Sequence, residues 1–279
     1  MPRYRLLAID IDGTLVNSQN ELTDPTRRAL LRAKRAGVEI VLATGRRYSR
    51  VLPLVEPLAL NVPLVTASGA LIKQASDHRT LFCAQFLPGA LERCLEVVAA
   101  AGFEAVLYAD TFDAGFDYYF RGSVPPPREE LVEFFDKNAG RGRQCPGLMS
   151  EPPADIFAGF VMATREEMAR LAGELNRHLP ELLYVHVLRS PRYRGYMCEI
   201  APFGVSKWTG VYRLAEEWGI RPDEICAAGD DVNDIPMITA AGLGVAMGNA
   251  LDEVKAAADR IAPSHDQDGL VQVVDWILR

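Results

Sequence analysis

Four short apolar runs in this chain each break off into polar residues. They are YRLLAIDI (4–11), VEIVLATG (38–45), VPLVTASGALI (62–72) and EICAAGD (224–230). A strand with one wet face alternates apolar and polar residues. Continuous runs of this kind are what a parallel sheet buried on both faces requires. Helical patterns separate the first three. TDPTRRALLRAKRAG (23–37) has Thr23 or Asp24 as cap, Pro25 in the first turn and Gly37 at its end, and RRYSRVLPLVEPL (46–58) reads as helical until its prolines. Strand, helix, strand, helix, strand at this spacing predicts an α/β fold: a Rossmann-like parallel sheet with helices on both faces.

The texture changes after residue 84. A helix and strand over 88–110 lead into the aromatic, proline-rich FDYYFRGSVPPPREELVEFFDK (116–137) and the polar NAGRGRQCPG (138–147). The strand DIFAGFVMA (155–163) and the helix TREEMARLAGELNRHL (164–179) follow. LLYVHVL (182–188) and YMCEIAP (196–202) then read as a hairpin joined by RSPRYRG. This pattern predicts a separate α+β unit with an antiparallel sheet. The α/β rhythm resumes near Gly204, with helices over 206–219, 233–242, 252–258 and 269–278 and strands over EICAAGD and LGVAM. The expected organisation is a core of residues 1–84 and 200–279, interrupted by an inserted domain of residues 85–199. A length of 279 residues suits two domains.

Composition narrows the function classes. A formal charge of −7 lacks the basic excess of a nucleic-acid binder. No apolar stretch reaches the ~18 residues of a membrane span. The carboxylates Asp10 and Asp12 interrupt the first apolar run before it could serve as a signal peptide. Cys83, Cys94, Cys145, Cys198 and Cys226 show no CxxC spacing, and His78, His178, His186 and His265 are scattered. Reduced thiols, no zinc site and a cytoplasmic protein are therefore expected.

Ligands of open parallel sheets sit beyond the carboxyl ends of the strands. DIDGT (10–14), ATGRR (43–47), ASGA (67–70) and GDDVND (229–234) all fall there, and Ser206–Lys207 opens a helix. Asp10, Asp12, Asp230, Asp231 and Asp234 could share a small site only with a cation, and an all-oxygen donor set favours Mg²⁺. Thr44, Ser68, Ser206, Lys207 and Asn233 supply donors and one fixed charge suited to phosphate oxygens. Together these describe phosphoryl transfer. Singly, each has a plainer reading. DIDGT could be a strand end and glycine turn, Thr44 a helix cap, Lys207 a solvated residue and GDDVND a polar loop. An EF-hand fails because Val232 and Asn233 break the ligand alternation and Ile235 replaces the loop glycine. GLGVAMG (242–248) has the wrong spacing and context for a dinucleotide fingerprint.

In this order, DIDGT, ATGR, SK and GDDVNDIPM resemble the four motifs of the haloacid dehalogenase-like superfamily, nearest its Cof-like (subclass IIB) phosphatases, which carry a large α/β cap between the second and third motifs. Smaller echoes are ASGA, EIAPFGVSK, VAMGNA and HDQDGL. The resemblance implies a Mg²⁺-dependent phosphatase acting on a small phosphorylated metabolite (a sugar phosphate, nucleotide or cofactor phosphate) through an aspartyl-phosphate. Asp10 would be the nucleophile and Asp12 the general acid and base. Asp10, the main-chain carbonyl of Asp12 and Asp230 would hold the metal, with Asp234 supporting through water or a hydrogen bond behind them, and Asp231 could instead share part of that work. Thr44, Gly45, Lys207 and Asn233 would bind the phosphoryl group, and Arg46, Ser68 and Gly69 the substrate. Asp12 stands where the family's transport ATPases have threonine, which favours a phosphatase or a mutase over a pump. ASGA departs from the common NGA: Ser68 is shorter than asparagine and has no amide. Substrate choice would lie in the cap, with Arg121, Tyr193, Arg194 and Tyr196, and Arg47 of the core, as candidate contacts. The resemblance leaves a phosphomutase and a non-catalytic phosphate-binding protein as alternatives, and a monomer or homodimer as the assembly.

Overall fold

The structure is a computed structural model that describes residues 2–58, 61–122, 128–190 and 193–279. The chain divides into two compact units. One comprises Met1–Phe82 with Ser206–Arg279 and the other Cys83–Val205, against sequence boundaries of 84/85 and 199/200.

The first unit begins with β1 (Leu6–Asp10), α1 (Asp24–Arg35), β2 (Glu39–Ala43), α2 (Tyr48–Val55), β3 (Pro63–Thr66), β4 (Leu71–Gln74) and β5 (Thr80–Cys83). The Thr23 side chain caps α1 by accepting from the Thr26 N–H. Helix α2 continues through Pro53, where the sequence suggested an end. Proline removes one helical donor, but Tyr48, Val51 and Val55 bury the helix face on either side of it.

The second unit contains α3 (Ala90–Ala100), β6 (Val106–Ala109), β7 (Tyr118–Phe120), α4 (Glu129–Lys137), β8 (Gly142–Gln144), β9 (Ile156–Ala163), α5 (Arg165–His178), β10 (Leu183–Arg189) and β11 (Tyr196–Pro202). Its strands order as β10-β11-β9-β6-β7-β8, antiparallel except for β7 with β8. Strand β8 was not expected inside the polar, glycine-rich stretch. Gly142 makes it possible, because a Cβ there would meet the Tyr118 ring. The helices α3 and α5 bury Leu91, Leu95, Val98, Met168, Leu171 and Leu175 against this sheet. Residues 123–127 of the proline-rich stretch and 191–192 of the expected hairpin turn lie outside the described residues.

The chain re-enters the first unit with α6 (Lys207–Glu217), β12 (Ile225–Gly229), α7 (Ile235–Ala240), β13 (Leu243–Ala246), α8 (Asp252–Ala257), β14 (Arg260–Ile261) and α9 (Gly269–Ile277). The sheet order is β14-β13-β12-β1-β2-β3-β4-β5, parallel from β14 to β3. One face, carrying Leu6, Ala8, Val41, Ala43, Val65, Ile225 and Ala227, packs on Val211, Leu214 and Met237 of α6 and α7. The alternate residues Leu7, Ile9, Ile40, Leu42 and Leu64 are buried as well, and α1 packs against β2 and α9. Both faces are covered, which accounts for the unbroken apolar runs. Strand β1 lies between β12 and β2, so Asp10, Thr44 and Asp230 leave three adjacent strands at the same edge.

Candidate active site

Beyond β1 the chain turns at Asp12 and Gly13, whose φ is +76°. The left-handed conformation favours glycine, and a Cβ here would also strike the Asp230 carboxylate. The DIDGT turn and the GDD turn are thereby packed face to face. Gly229 likewise leaves room for Asp234, with whose Cγ a Cβ there would collide.

Lys207 is buried at the first turn of α6, behind a Ser206 cap. Its ammonium donates to Asp10 Oδ1 at 2.6 Å and to Asp234 Oδ1 at 2.7 Å. Asp234 is fully buried, and its Oδ2 accepts the backbone N–H groups of Asp230 and Asp231 at 3.0 and 3.1 Å. Asp230 is held on both oxygens by neutral donors, Thr14 Oγ1 at 3.2 Å and Asn249 Nδ2 at 3.3 Å. Among the described residues, no hydrogen bond reaches Asp10 Oδ2.

Asp10, Asp230 and Asp234 bring carboxylate oxygens within 4.8 Å of one another. With Lys207, three carboxylates and one ammonium leave a formal charge of −2. Burial and Asp234 push the Asp10 carboxyl well up, against the pull of Lys207. Burial, then Asp234, push Asp230 up to about 7. The Lys207 ammonium is held firmly protonated: burial opposes its charge, but Asp10 and Asp234 outweigh burial. A hard divalent cation would cancel the excess charge, and oxygen-only donors suit one. The site therefore fits such an ion. Asp231 stands apart from this cluster, exposed, with its Oδ1 on the Val232 N–H at 2.7 Å.

A second group of expected residues lies beside the first. The Thr44 hydroxyl is buried and accepts the Arg46 N–H at 3.1 Å. The Ser68 and Ala67 N–H groups donate to the Thr44 and Arg46 carbonyls, tying the ASGA turn to the ATGR turn. A Cβ on Gly45 would lie 3.4 Å from Ser68 Oγ and 4.0 Å from Asn233 Nδ2, so Gly45 keeps open the space between them. The amide oxygen of Asn233 is buried without a hydrogen-bond partner among the described residues. Ala67 and Ser68 both hold positive φ, +47° and +55°, a conformation uncommon outside glycine and asparagine.

Three of the expected site residues are engaged by other parts of the protein. The Asp12 carboxylate is outside the acidic cluster and takes the Arg46 guanidinium on both oxygens, with Nε to Oδ2 at 2.7 Å. Arg46, expected at the substrate, is engaged by Asp12 and by Asn20 Oδ1 at 2.6 Å. Gly69 faces the protein backbone. Its φ is +107°, and a Cβ would collide with the Ser206 carbonyl, so it seats the ASGA turn against the start of α6. Arg47 is buried in the core unit. In the inserted unit, Tyr193 stacks edge-on against Phe134 at 5.3 Å and accepts from Asn138, and Arg194 pairs with Glu129 at 3.4 Å. Arg121 is exposed and Tyr196 half-buried. Thr14, Asn20 and Asn249 were not singled out from the sequence. Thr14 lies in DIDGT and Asn249 in VAMGNA, motifs that pointed to these segments without giving either residue a role.

The haloacid dehalogenase-like hydrolase family model matches residues 7–274. The chain is 25% identical to the 5-amino-6-(5-phospho-D-ribitylamino)uracil phosphatase YitU of Bacillus subtilis, over 96% of this chain and 95% of that protein. It is 27% identical to the pyridoxal phosphate phosphatase YbhA of Escherichia coli, over 97% of each. A haloacid dehalogenase-like hydrolase from Bacteroides thetaiotaomicron superposes with a TM-score of 0.78 at 26% identity, covering 98% of this chain and 99% of that one.

Proposed function

The chain belongs to the haloacid dehalogenase-like hydrolases, and from that premise we propose that it is a Mg²⁺-dependent phosphatase of small phosphorylated metabolites, working through an aspartyl-phosphate on Asp10. The observation that carries this reading is the buried Asp10–Lys207–Asp234 triad beside Asp230, with one Asp10 oxygen anchored by Lys207 and the other left for attack.

Asp10, Asp230 and the main-chain carbonyl of Asp12 would hold the ion, with Asp234 fixing Lys207 and the 229–231 backbone behind them. When bound, the ion neutralises the carboxylates and draws charge from the phosphoryl oxygens. Lys207, Thr44 and Asn233 bind those oxygens in the space that Gly45 keeps open, and orient phosphorus toward Asp10 Oδ2. Attack by Oδ2 forms the O–P bond and breaks the ester bond. Asp12 delivers a proton to the departing oxygen. It then takes one from the water that cleaves the aspartyl-phosphate and releases inorganic phosphate. The Asp12 carboxylate is occupied by the Arg46 guanidinium, so Asp12 must release Arg46 to reach the departing oxygen. Once released, Arg46 is free to meet the substrate.

The relatives' names indicate a substrate class and no single compound. YitU is a phosphatase of a phosphoribitylaminouracil, and YbhA one of pyridoxal phosphate. For this chain we assign the class, a small phosphorylated metabolite, with discrimination by the inserted unit and a cytoplasmic location. No helix of the described residues is long and apolar enough to cross a membrane. EDTA should abolish phosphate release and added Mg²⁺ restore it, and turnover indifferent to chelation would remove the metal from the mechanism. A phosphomutase would instead yield isomerised product with little free phosphate.

A further inference from the structure

VAMGNA and HDQDGL have no part in the chemistry above, yet the fold brings them to its edge. Asn249, just beyond β13, donates from Nδ2 to the Gly13 carbonyl at 2.9 Å and to Asp230 Oδ2 at 3.3 Å. Its Oδ1 accepts the His265 N–H at 3.0 Å. Two acceptors on one side and a backbone donor on the other allow a single orientation of the amide. Behind it, the 264–268 segment is fastened to the chain that leaves the DIDGT turn. Asp266 accepts the Ser18 N–H at 2.8 Å and the Ser18 hydroxyl at 2.6 Å, and Asp268 accepts the hydroxyls of Thr23 and Thr26. Asn249 is therefore a fixed bracket between three turns.

We infer that Asn249 is a positioning residue for the metal site: it sets the Asp230 carboxylate against the DIDGT turn so that Asp230 and Asp10 face one ion at a fixed separation. This rests on the reading of Asp230 as a metal ligand. The other Asp230 oxygen is held by Thr14, a residue of the DIDGT turn itself. Both of its supports thus refer Asp230 to the same turn that carries Asp10. Side chains that orient metal ligands commonly change affinity about 10–100-fold when removed. Asn249 is exposed and fills no core space, so its loss should weaken metal binding far more than folding.

The test is calorimetric titration of the intact, metal-free protein with Mg²⁺ alone, with thermal unfolding of the same samples. Asn249→Ala should weaken Mg²⁺ binding at least tenfold and leave the metal-free melting temperature nearly unchanged. Ile220→Val, a core truncation within the α6–α7 cluster, should lower that temperature and leave Mg²⁺ affinity within twofold. Asn249→Ser, polar but too short to reach Asp230, replaces the alanine variant if that one fails to fold. Wild-type affinity in the Asn249 variant, or an equal loss in Ile220→Val, overturns the inference and leaves the metal reading standing. Absence of Mg²⁺ binding by the wild-type protein overturns both.

Discussion

At the scale of single residues, the site is a buried charge problem that one lysine offsets in part. Removing one partner from a buried ion pair costs about 3–5 kcal/mol, because the other charge is left uncompensated. Lys207 serves two carboxylates, Asp10 and Asp234. Lys207→Met should therefore lower the melting temperature of the metal-free protein markedly and remove turnover as well. Unchanged stability would show that the pairing contributes little. Asp12→Asn tests a different role. General acid catalysis contributes roughly 10²–10⁴-fold, so rates should fall by that order for alkyl phosphates and much less for aryl phosphates with good leaving groups. Equal losses across leaving groups would remove Asp12 from proton transfer. Asp10, Asp230, Asp234 and Lys207 were legible in the sequence because each sits at or just past the end of a buried strand or at a helix start, where chain direction alone fixes its place. The pairing of Arg46 with Asp12 was not legible. It depends on how a long side chain folds back from a turn, and residue spacing carries no such information.

At the scale of elements, glycines set how closely the turns approach. Gly69 abuts the backbone of Ser206, the cap of the helix that carries Lys207. Gly69→Ala adds both a positive-φ penalty and a backbone clash, which should cost about 2 kcal/mol or more. Thermal unfolding reads the loss. Because the start of α6 must shift, kcat should fall too, and a variant with wild-type stability and kcat would contradict this role. The parallel strands and capped helices were readable because burial on two faces leaves unbroken apolar runs, and caps use a few residue types. Strand β8, with the sequence Gly142–Gln144, was not readable. It is a short, largely exposed edge strand, held by its partner β7 and by the Tyr118 ring over Gly142. Pro53 misled for a similar reason: burial around it outweighs its local preference.

At the scale of the whole molecule, the acidic site links metal, pH and stability. The Asp230 carboxyl rises from an ordinary value of 3.8 to about 7 in the folded, metal-free protein. Between those values the folded state binds more protons than the unfolded state, so metal-free stability should fall as pH rises from about 4 to 7. The proposed Mg²⁺ would bind the ionised carboxylates and should stabilise the protein most at the upper end of that window. Thermal melts at pH 5 and pH 7.5, with EDTA or with Mg²⁺, would check this. A metal-free protein more stable at pH 7.5 than at pH 5 would contradict it. The division into a parallel α/β core and an inserted α+β unit was visible as a change of texture along the chain. Substrate preference was not, because no motif in the inserted unit names a target.

The most direct measurement is phosphate release across a panel of phosphorylated metabolites, with and without Mg²⁺, for the wild-type protein and Asp10→Asn in parallel. Release by the wild-type protein that requires Mg²⁺ and vanishes in a folded Asp10→Asn variant is the expected result, and the ranking by kcat/KM would then identify the preferred substrate. Release that persists without Asp10 or without the metal would contradict phosphoryl transfer through this aspartate.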